Sequence, residues 1–263
     1  MDLHIKDRIA LVCGSSSGLG LAIATRLARE GCRVALNGRD PTRLDNAADR
    51  VERESGKRPG TFVADVSHSE AVTTLVHAVS DAMGPVDILL ANAGGPPART
   101  FAEADAQTWQ RAIDLNLLST INLCRAVVPG MQERGWGRIV CLTSVAAKQP
   151  IAGLLLSSTS RAGLLGFVKG VSNEIANDGV TINTICPGYM RTERVAELFE
   201  VMAQKGGISV DEVEQNLVAQ IPAGRIGDPD ELAAMVAFMV SDHAGYLTGA
   251  TIQVDGGYIK GVL

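Results

Sequence analysis

No stretch of this 263-residue chain stays apolar long enough to span a bilayer. Its first apolar piece, residues 9–13, is far too short for a signal peptide and reads as a strand. No basic stripe stands out, and the net charge is −5 with a pI near 5.4, so nucleic acid is not an expected partner. The five cysteines, Cys13, Cys32, Cys124, Cys141 and Cys186, include no C-x-x-C pair. They read as buried, reduced thiols of a cytoplasmic protein, with a metal site or redox switch as the alternative and no metal expected. Charged residues reach only 20%, against 46% hydrophobic residues and 28 glycines, and one large α/β domain fits the length.

Strand-like and helix-like patterns alternate. Strands are expected at 8–13, 33–37, 61–64, 86–91, 138–142, 180–185 and 250–254. Helices are expected at 18–30, 40–54, 67–83, 104–134, 156–178 and 229–241. Strands apolar on both faces and separated by helices imply a parallel sheet covered on both sides. Right-handed crossovers make that a doubly wound, Rossmann-type α/β sheet of about seven strands in one domain. Residues 188–228 are longer than a simple connection and hold two helical pieces, 193–204 and 210–218. Connections of this length often cover a substrate; a surface elaboration is the alternative.

Ligands of such sheets sit beyond the carboxyl ends of the strands. Six strand ends here carry glycines or polar groups: Gly14 to Gly20, Asn37-Gly38-Arg39, Asp65, Asn92 to Gly95, Thr143-Ser144 and Pro187-Gly188-Tyr189. Gly14, Gly18 and Gly20 leave room for a pyrophosphate at a helix N-terminus, and Ser15 to Ser17 add hydroxyls. The spacing is G-x-x-x-G-x-G rather than the commoner G-x-G-x-x-G. After the second strand stands Arg39, suited to the 2′-phosphate of NADP, where an acidic residue would suit NAD. A solvent-facing arginine beside Asp40 is the plainer reading. Asp65 is placed to accept from the adenine amino group.

Together these marks resemble the short-chain dehydrogenase/reductase family over nearly the whole chain, Lys6 to Gly257. Ala91-Asn92-Ala93-Gly94 is similar to the family's N-N-A-G segment. Leu115-Asn116-Leu117 fits its helix asparagine, and the strand running from Gly137 ends in the serine position, Ser144. Pro187-Gly188-Tyr189 with Thr192, Gly224-Arg225 and Asp255-Gly256-Gly257 continue the match, which is nearest the 3-oxoacyl-[acyl-carrier-protein] reductases. The resemblance implies NADP contacts from Gly14, Ser16, Ser17, Gly18, Leu19, Gly20, Arg39, Asp65 and Val66. It adds Asn92, Ala93, Gly94, Arg161, Pro187, Gly188 and Thr192. It also implies a carbonyl or hydroxyl substrate held by Ser144, Asn116 anchoring a water, and a homodimer or homotetramer built on the long helices and the C-terminal tail.

The family's Tyr-x-x-x-Lys pair is replaced by Ser157 and Arg161, in register because Ala162-Gly163-Leu164 follows as it does after the family lysine. No tyrosine lies between Ser144 and Tyr189. A serine hydroxyl is a much weaker acid than a phenol, and arginine does not deprotonate near neutrality. Cofactor binding is expected to survive while the usual acid catalysis does not. Three substitutes for the proton donor are conceivable: Lys148, Tyr189, or a water held by Ser157, Ser158 and Asn116. The principal expectation is an NADP-dependent oxidoreductase with non-standard catalytic residues Asn116, Ser144, Ser157 and Arg161. The alternatives are a cofactor-binding sensor or partner subunit with little turnover, and an elimination or isomerisation enzyme.

Overall fold

The computed structural model describes residues 1–262. A seven-stranded, wholly parallel sheet runs in the order β3-β2-β1-β4-β5-β6-β7. Its strands are β1 (Ile9–Val12), β2 (Arg33–Gly38), β3 (Gly60–Val63), β4 (Ile88–Ala91), β5 (Gly137–Leu142), β6 (Val180–Pro187) and β7 (Thr251–Val254). Every residue of β1, β4, β5 and β6 is buried, as both-face coverage requires. The edge strand β3 alternates instead, with Thr61 and Val63 facing out.

Helices α1 (Gly18–Arg29), α2 (Pro41–Ser55) and α9 (Pro229–Met239) cover one face through a core containing Val12, Leu27, Leu36, Leu44 and Leu232. Helices α3 (Ser69–Met83), α5 (Ser119–Glu133) and α6 (Leu155–Ile175) cover the other through Leu11, Val79, Leu89, Leu123 and Ile182. Local chemistry sets several helix ends. Asp40 caps α2 by accepting from Arg43 N at 3.0 Å with Pro41 in the first turn, and Gly56 ends it at φ 75°. Asp228 and Glu231 form a reciprocal capping box before α9.

The expected single helix over 104–134 is broken. Helix α4 (Ala106–Ile113) passes into one π turn, Asp114–Leu118, before α5 begins. A π turn adds a residue to the helical repeat and turns the next side chains relative to the preceding ones, a shift that a 3.6-residue hydrophobic pattern does not report. The segment after β6 forms α7 (Glu193–Gly206) and α8 (Val210–Val218), close to the expected pieces. These close on a small core of their own, with Tyr189, Phe199, Val213, Leu217 and Ile226 buried together.

The strand order reverses at β1, from which the chain first winds one way to β2 and β3 and then crosses back to β4. That reversal opens a crevice at the carboxyl ends of β1 and β4.

Candidate active site

A cleft of about 480 Å³ lies along these strand ends. All the sequence-predicted site residues except Asn116 line it. Gly14 and Gly18 hold φ values of 58° and 55°, which favour glycine. A Cβ on Gly20 would stand 2.2 Å from Gly14 O, so loop and helix pack backbone to backbone. Ser15 turns inward, donating to Val12 O at 2.8 Å and accepting from Asn37 N at 3.0 Å. Asn92 Nδ2 donates to Cys13 O and Gly14 O, both at 3.2 Å, tying the end of β4 to the glycine loop. Ser16 and Ser17 remain on the cleft, and Ser17 stands at the head of α1 without spending its hydroxyl on a cap. The free N–H groups of the first turn of α1 therefore open onto the cleft. A Cβ at Gly94 would meet nothing within 4 Å, which leaves the opposite wall open.

At the far end, Arg39 Nη1 lies 3.8 Å from Asp65 Oδ2, and Arg39 is 73% exposed. Asp65 Oδ1 accepts from Ser67 N and Oγ at 3.0 and 2.7 Å. Partial burial opposes its ionisation, but the two Ser67 bonds and the Arg39 charge hold its carboxyl below the usual range. Val66 and Ala64 flank it on the cleft wall.

At the β5 end, Ser144 and Ser157 both line the cleft. Ser144 Oγ accepts from Ala146 N at 3.1 Å, and Ser157 Oγ accepts from Arg161 Nε at 3.2 Å. Neither bond uses the hydroxyl hydrogen. Arg161 is buried. Its Nη1 donates to Leu142 O and Thr143 O at 3.1 and 2.9 Å, which fastens the guanidinium beneath the end of β5. Loss of hydration draws its pKa down to about 10; Cys186 opposes that shift and the positive charge of Arg194 adds to it. It remains a cation at neutral pH.

Asn116 stands behind the wall, in the π turn. Its Nδ2 donates to Gly94 O at 2.8 Å and its Oδ1 accepts from Ser160 Oγ at 3.3 Å, so its amide holds the loop after β4. Among the described residues the buried Ser158 Oγ has no partner and does not line the cleft, leaving Ser157 alone of the expected water-holding trio on it. Two imagined proton donors are also turned elsewhere. Lys148 Nζ donates to Gln253 Oε1 at 3.1 Å, off the cleft. Tyr189 packs into the α7–α8 core, edge-on to Tyr258 with ring centroids 5.4 Å apart, and burial raises its pKa. All five cysteines are buried and free.

Sequence reasoning missed several cleft residues. Arg43, at the start of α2, reaches Glu193 at the start of α7 at 3.0 Å. Arg194 leans over Gly95, donates to Pro96 O at 3.3 Å and approaches Glu197 at 3.5 Å. Arg43 lies four residues past Arg39 in an expected helix and Arg194 two past Thr192, the only signals available.

The sequence model described as enoyl-(acyl carrier protein) reductase matches residues 14–259. An acetoacetyl-CoA reductase of Allochromatium vinosum is 36% identical over 95% of this chain and 98% of its own length. A 3-oxoacyl-[acyl-carrier-protein] reductase of Vibrio cholerae is 34% identical over 97% and 98%. The solved structure of an L-sorbose reductase from Gluconobacter frateurii, complexed with NADPH and L-sorbose, superposes with a TM-score of 0.94 at 33% identity, covering all of both chains. The doubly wound sheet, the glycine loop opening onto its crevice and this similarity along almost the full length agree: the chain belongs to the short-chain dehydrogenase/reductase family.

Proposed function

We propose that this protein is an NADPH-dependent carbonyl reductase that stabilises the substrate oxygen with two serine hydroxyls and a buried cation in place of a phenol acid. The observation that carries the reading is the Ser157–Arg161 contact beside Ser144. The cradle suits a dinucleotide. The head of α1 and Ser17 suit the pyrophosphate, the open wall at Gly94 leaves it room, and exposed Arg39 suits a 2′-phosphate. Pro187, Gly188 and Thr192 would hold the nicotinamide end, and Asp65 and Val66 the adenine end. NADPH, when bound, supplies the hydride.

The chain's own residues do the rest. Ser144 and Ser157 each keep a hydroxyl hydrogen to donate to a carbonyl oxygen. Arg161, by donating to Ser157 Oγ, raises the acidity of that hydrogen and sets a fixed positive field where negative charge grows. Water delivers the proton. Residues 188–228, tied across the cleft by Arg43–Glu193 and by Arg194–Pro96, act as the lid. The protein works in the cytoplasm as a homodimer or homotetramer. The outer face of α6 presents Ala162, Gly163, Gly166 and Gly170, small enough for close approach of a second helix.

A second reading, a cofactor-binding subunit with little turnover, is favoured by the loss of the phenol and the ammonium. NADPH consumption over a panel of ketones and 3-oxoacyl thioesters, measured beside NADPH affinity, separates the two. Saturable turnover of at least one carbonyl compound is expected; tight binding with no turnover on any member would favour the subunit reading.

A further inference from the structure

Most guanidinium donors at the adenosine end of the cleft have no partner among the described residues. Gly38, at the end of β2, packs so closely that a Cβ there would stand 3.3 Å from the Leu44 side chain and 3.4 Å from Ser16 Cβ. The strand end, the first turn of α2 and the glycine loop therefore meet at one corner. Arg39 leaves this corner from the strand and Arg43 from the helix, and both line the cleft. Among the described residues the Arg39 side chain makes no hydrogen bond, only its 3.8 Å approach to Asp65. Arg43 engages Nη2 alone, donating to Glu193 Oε2 at 3.0 Å, which leaves its Nε and Nη1 unengaged.

Glu193 belongs to the lid, not to the adenosine wall. It is the first residue of α7 and follows Thr192, whose methyl carbon would lie 3.7 Å from a Cβ at Gly18. The root of the lid thus rests on the glycine loop and sends a carboxylate into the corner. Among the described residues the Glu193 side chain has no hydrogen-bond partner besides Arg43, and both side chains are exposed. An exposed pair of this kind holds weakly, since water screens it and two long side chains must be ordered. A phosphate monoester carries about −1.5 to −2 charge at neutral pH and takes paired bonds from a guanidinium. The two arginines of this corner balance its two carboxylates, Asp65 and Glu193. A 2′-phosphate tips that balance negative. The carboxylate able to leave is Glu193, because Ser67 N and Oγ hold Asp65 Oδ1.

We propose, resting on the assignment of this cleft to NADPH, that Glu193 competes with the 2′-phosphate for Arg43, so that the phosphate unfastens the lid at its root. Arg39 draws the phosphate to the corner, Arg43 turns from Glu193 to meet it, and the lid carboxylate is repelled. NADH, with a hydroxyl in that place, leaves the Arg43–Glu193 tie made. Glu193 is thereby a specificity-determining residue that weakens the binding of NADPH and not of NADH. The coupling is reciprocal, so a change that loosens the root of the lid tightens NADPH. Cofactor binding frees the entrance that a carbonyl substrate must pass, with Arg194–Pro96 left as the second tie.

Calorimetric titration of the full chain and its variants tests the first consequence. Glu193→Gln should tighten NADPH by about two- to fivefold and leave NADH within about 1.5-fold. Arg43→Ala should weaken NADPH by about three- to tenfold. In the Arg43→Ala background the gain from Glu193→Gln should vanish, the non-additivity expected of a shared partner. Amide hydrogen exchange tests the second consequence, with adenosine 2′,5′-bisphosphate and adenosine 5′-monophosphate as probes that carry no nicotinamide. The bisphosphate should speed exchange in α7 by about threefold or more and the monophosphate should not, whereas in Glu193→Gln exchange should be fast with either. An NADPH affinity unmoved by Glu193→Gln, or a bisphosphate that binds and leaves α7 as protected as before, overturns the inference alone. Equal affinity for NADPH and NADH overturns the NADP assignment and the inference with it. The expected binding and exchange effects without turnover of any carbonyl compound overturn the reductase reading and leave this one standing.

Discussion

The double substitution Ser157→Tyr with Arg161→Lys is expected to raise the single-turnover rate of NADPH-dependent reduction of a neutral ketone by about 100-fold. General acid catalysis contributes roughly 10²–10⁴-fold, and among the described residues no phenol or lysine lines the native cleft to provide it. Lys148 and Tyr189 are both engaged away from the site. A phenol at position 157 would project into the cleft that Ser157 already lines. A lysine at 161 keeps a charge while losing some of the donors that now serve Leu142 O and Thr143 O, costing about 1–3 kcal/mol of stability. The two changes should be non-additive, since a phenol without the ammonium, or the ammonium without the phenol, completes no acid. Rapid-quench or stopped-flow decay of NADPH absorbance reads the result. A double variant slower than the native protein on every carbonyl would show that Ser157 and Arg161 carry a chemistry of their own that a phenol cannot replace.

Arg39→Ala should raise the dissociation constant of NADPH by about 10- to 100-fold and leave that of NADH within about twofold. A bidentate guanidinium–phosphate contact contributes on the order of 1.5–3 kcal/mol, and only the 2′-phosphate distinguishes the two nucleotides. The fold should not register the change, because the Arg39–Asp65 pair is exposed on the arginine side and separated by 3.8 Å. Competition titrations with both reduced nucleotides measure it. Equal losses for NADPH and NADH would mean that Arg39 supports the adenosine pocket generally and reads no phosphate.

Much of this architecture was legible in the chain because it follows from backbone demands. Unbroken apolar runs such as Leu89–Leu90 and Val140–Cys141 have no stable home except a sheet covered on both faces. Gly14, Gly18 and Gly20 stand where a side chain would collide or the backbone needs a positive φ, so the loop advertises itself. Polar residues at successive strand ends converge because parallel strands finish on one edge.

What escaped was side-chain direction. Tyr189 follows the Pro187-Gly188 turn, yet its partner Tyr258 is 69 positions away, and nothing local shows that the ring turns into the lid core. Asn116 matched a site position, but no local signal showed that its amide donates to Gly94 O and accepts from Ser160 Oγ behind the wall. The π turn under it adds one residue to a pattern that periodicity reads as continuous. Arg161 stands on the cleft where the sequence placed it, but that two backbone carbonyls from β5 and its margin take Nη1 had no local signal. The pairings of Arg43 with Glu193 and Arg194 with Pro96 join segments 150 and 98 residues apart and have no local signal.

The most direct measurement is a calorimetric titration of the purified protein with NADPH and, separately, NADH. Saturable binding of one NADPH per chain, with NADH at least about tenfold weaker, is the expected result. Saturable binding of neither nucleotide would contradict a dinucleotide site on this sheet edge, and with it every role assigned to Ser144, Ser157 and Arg161.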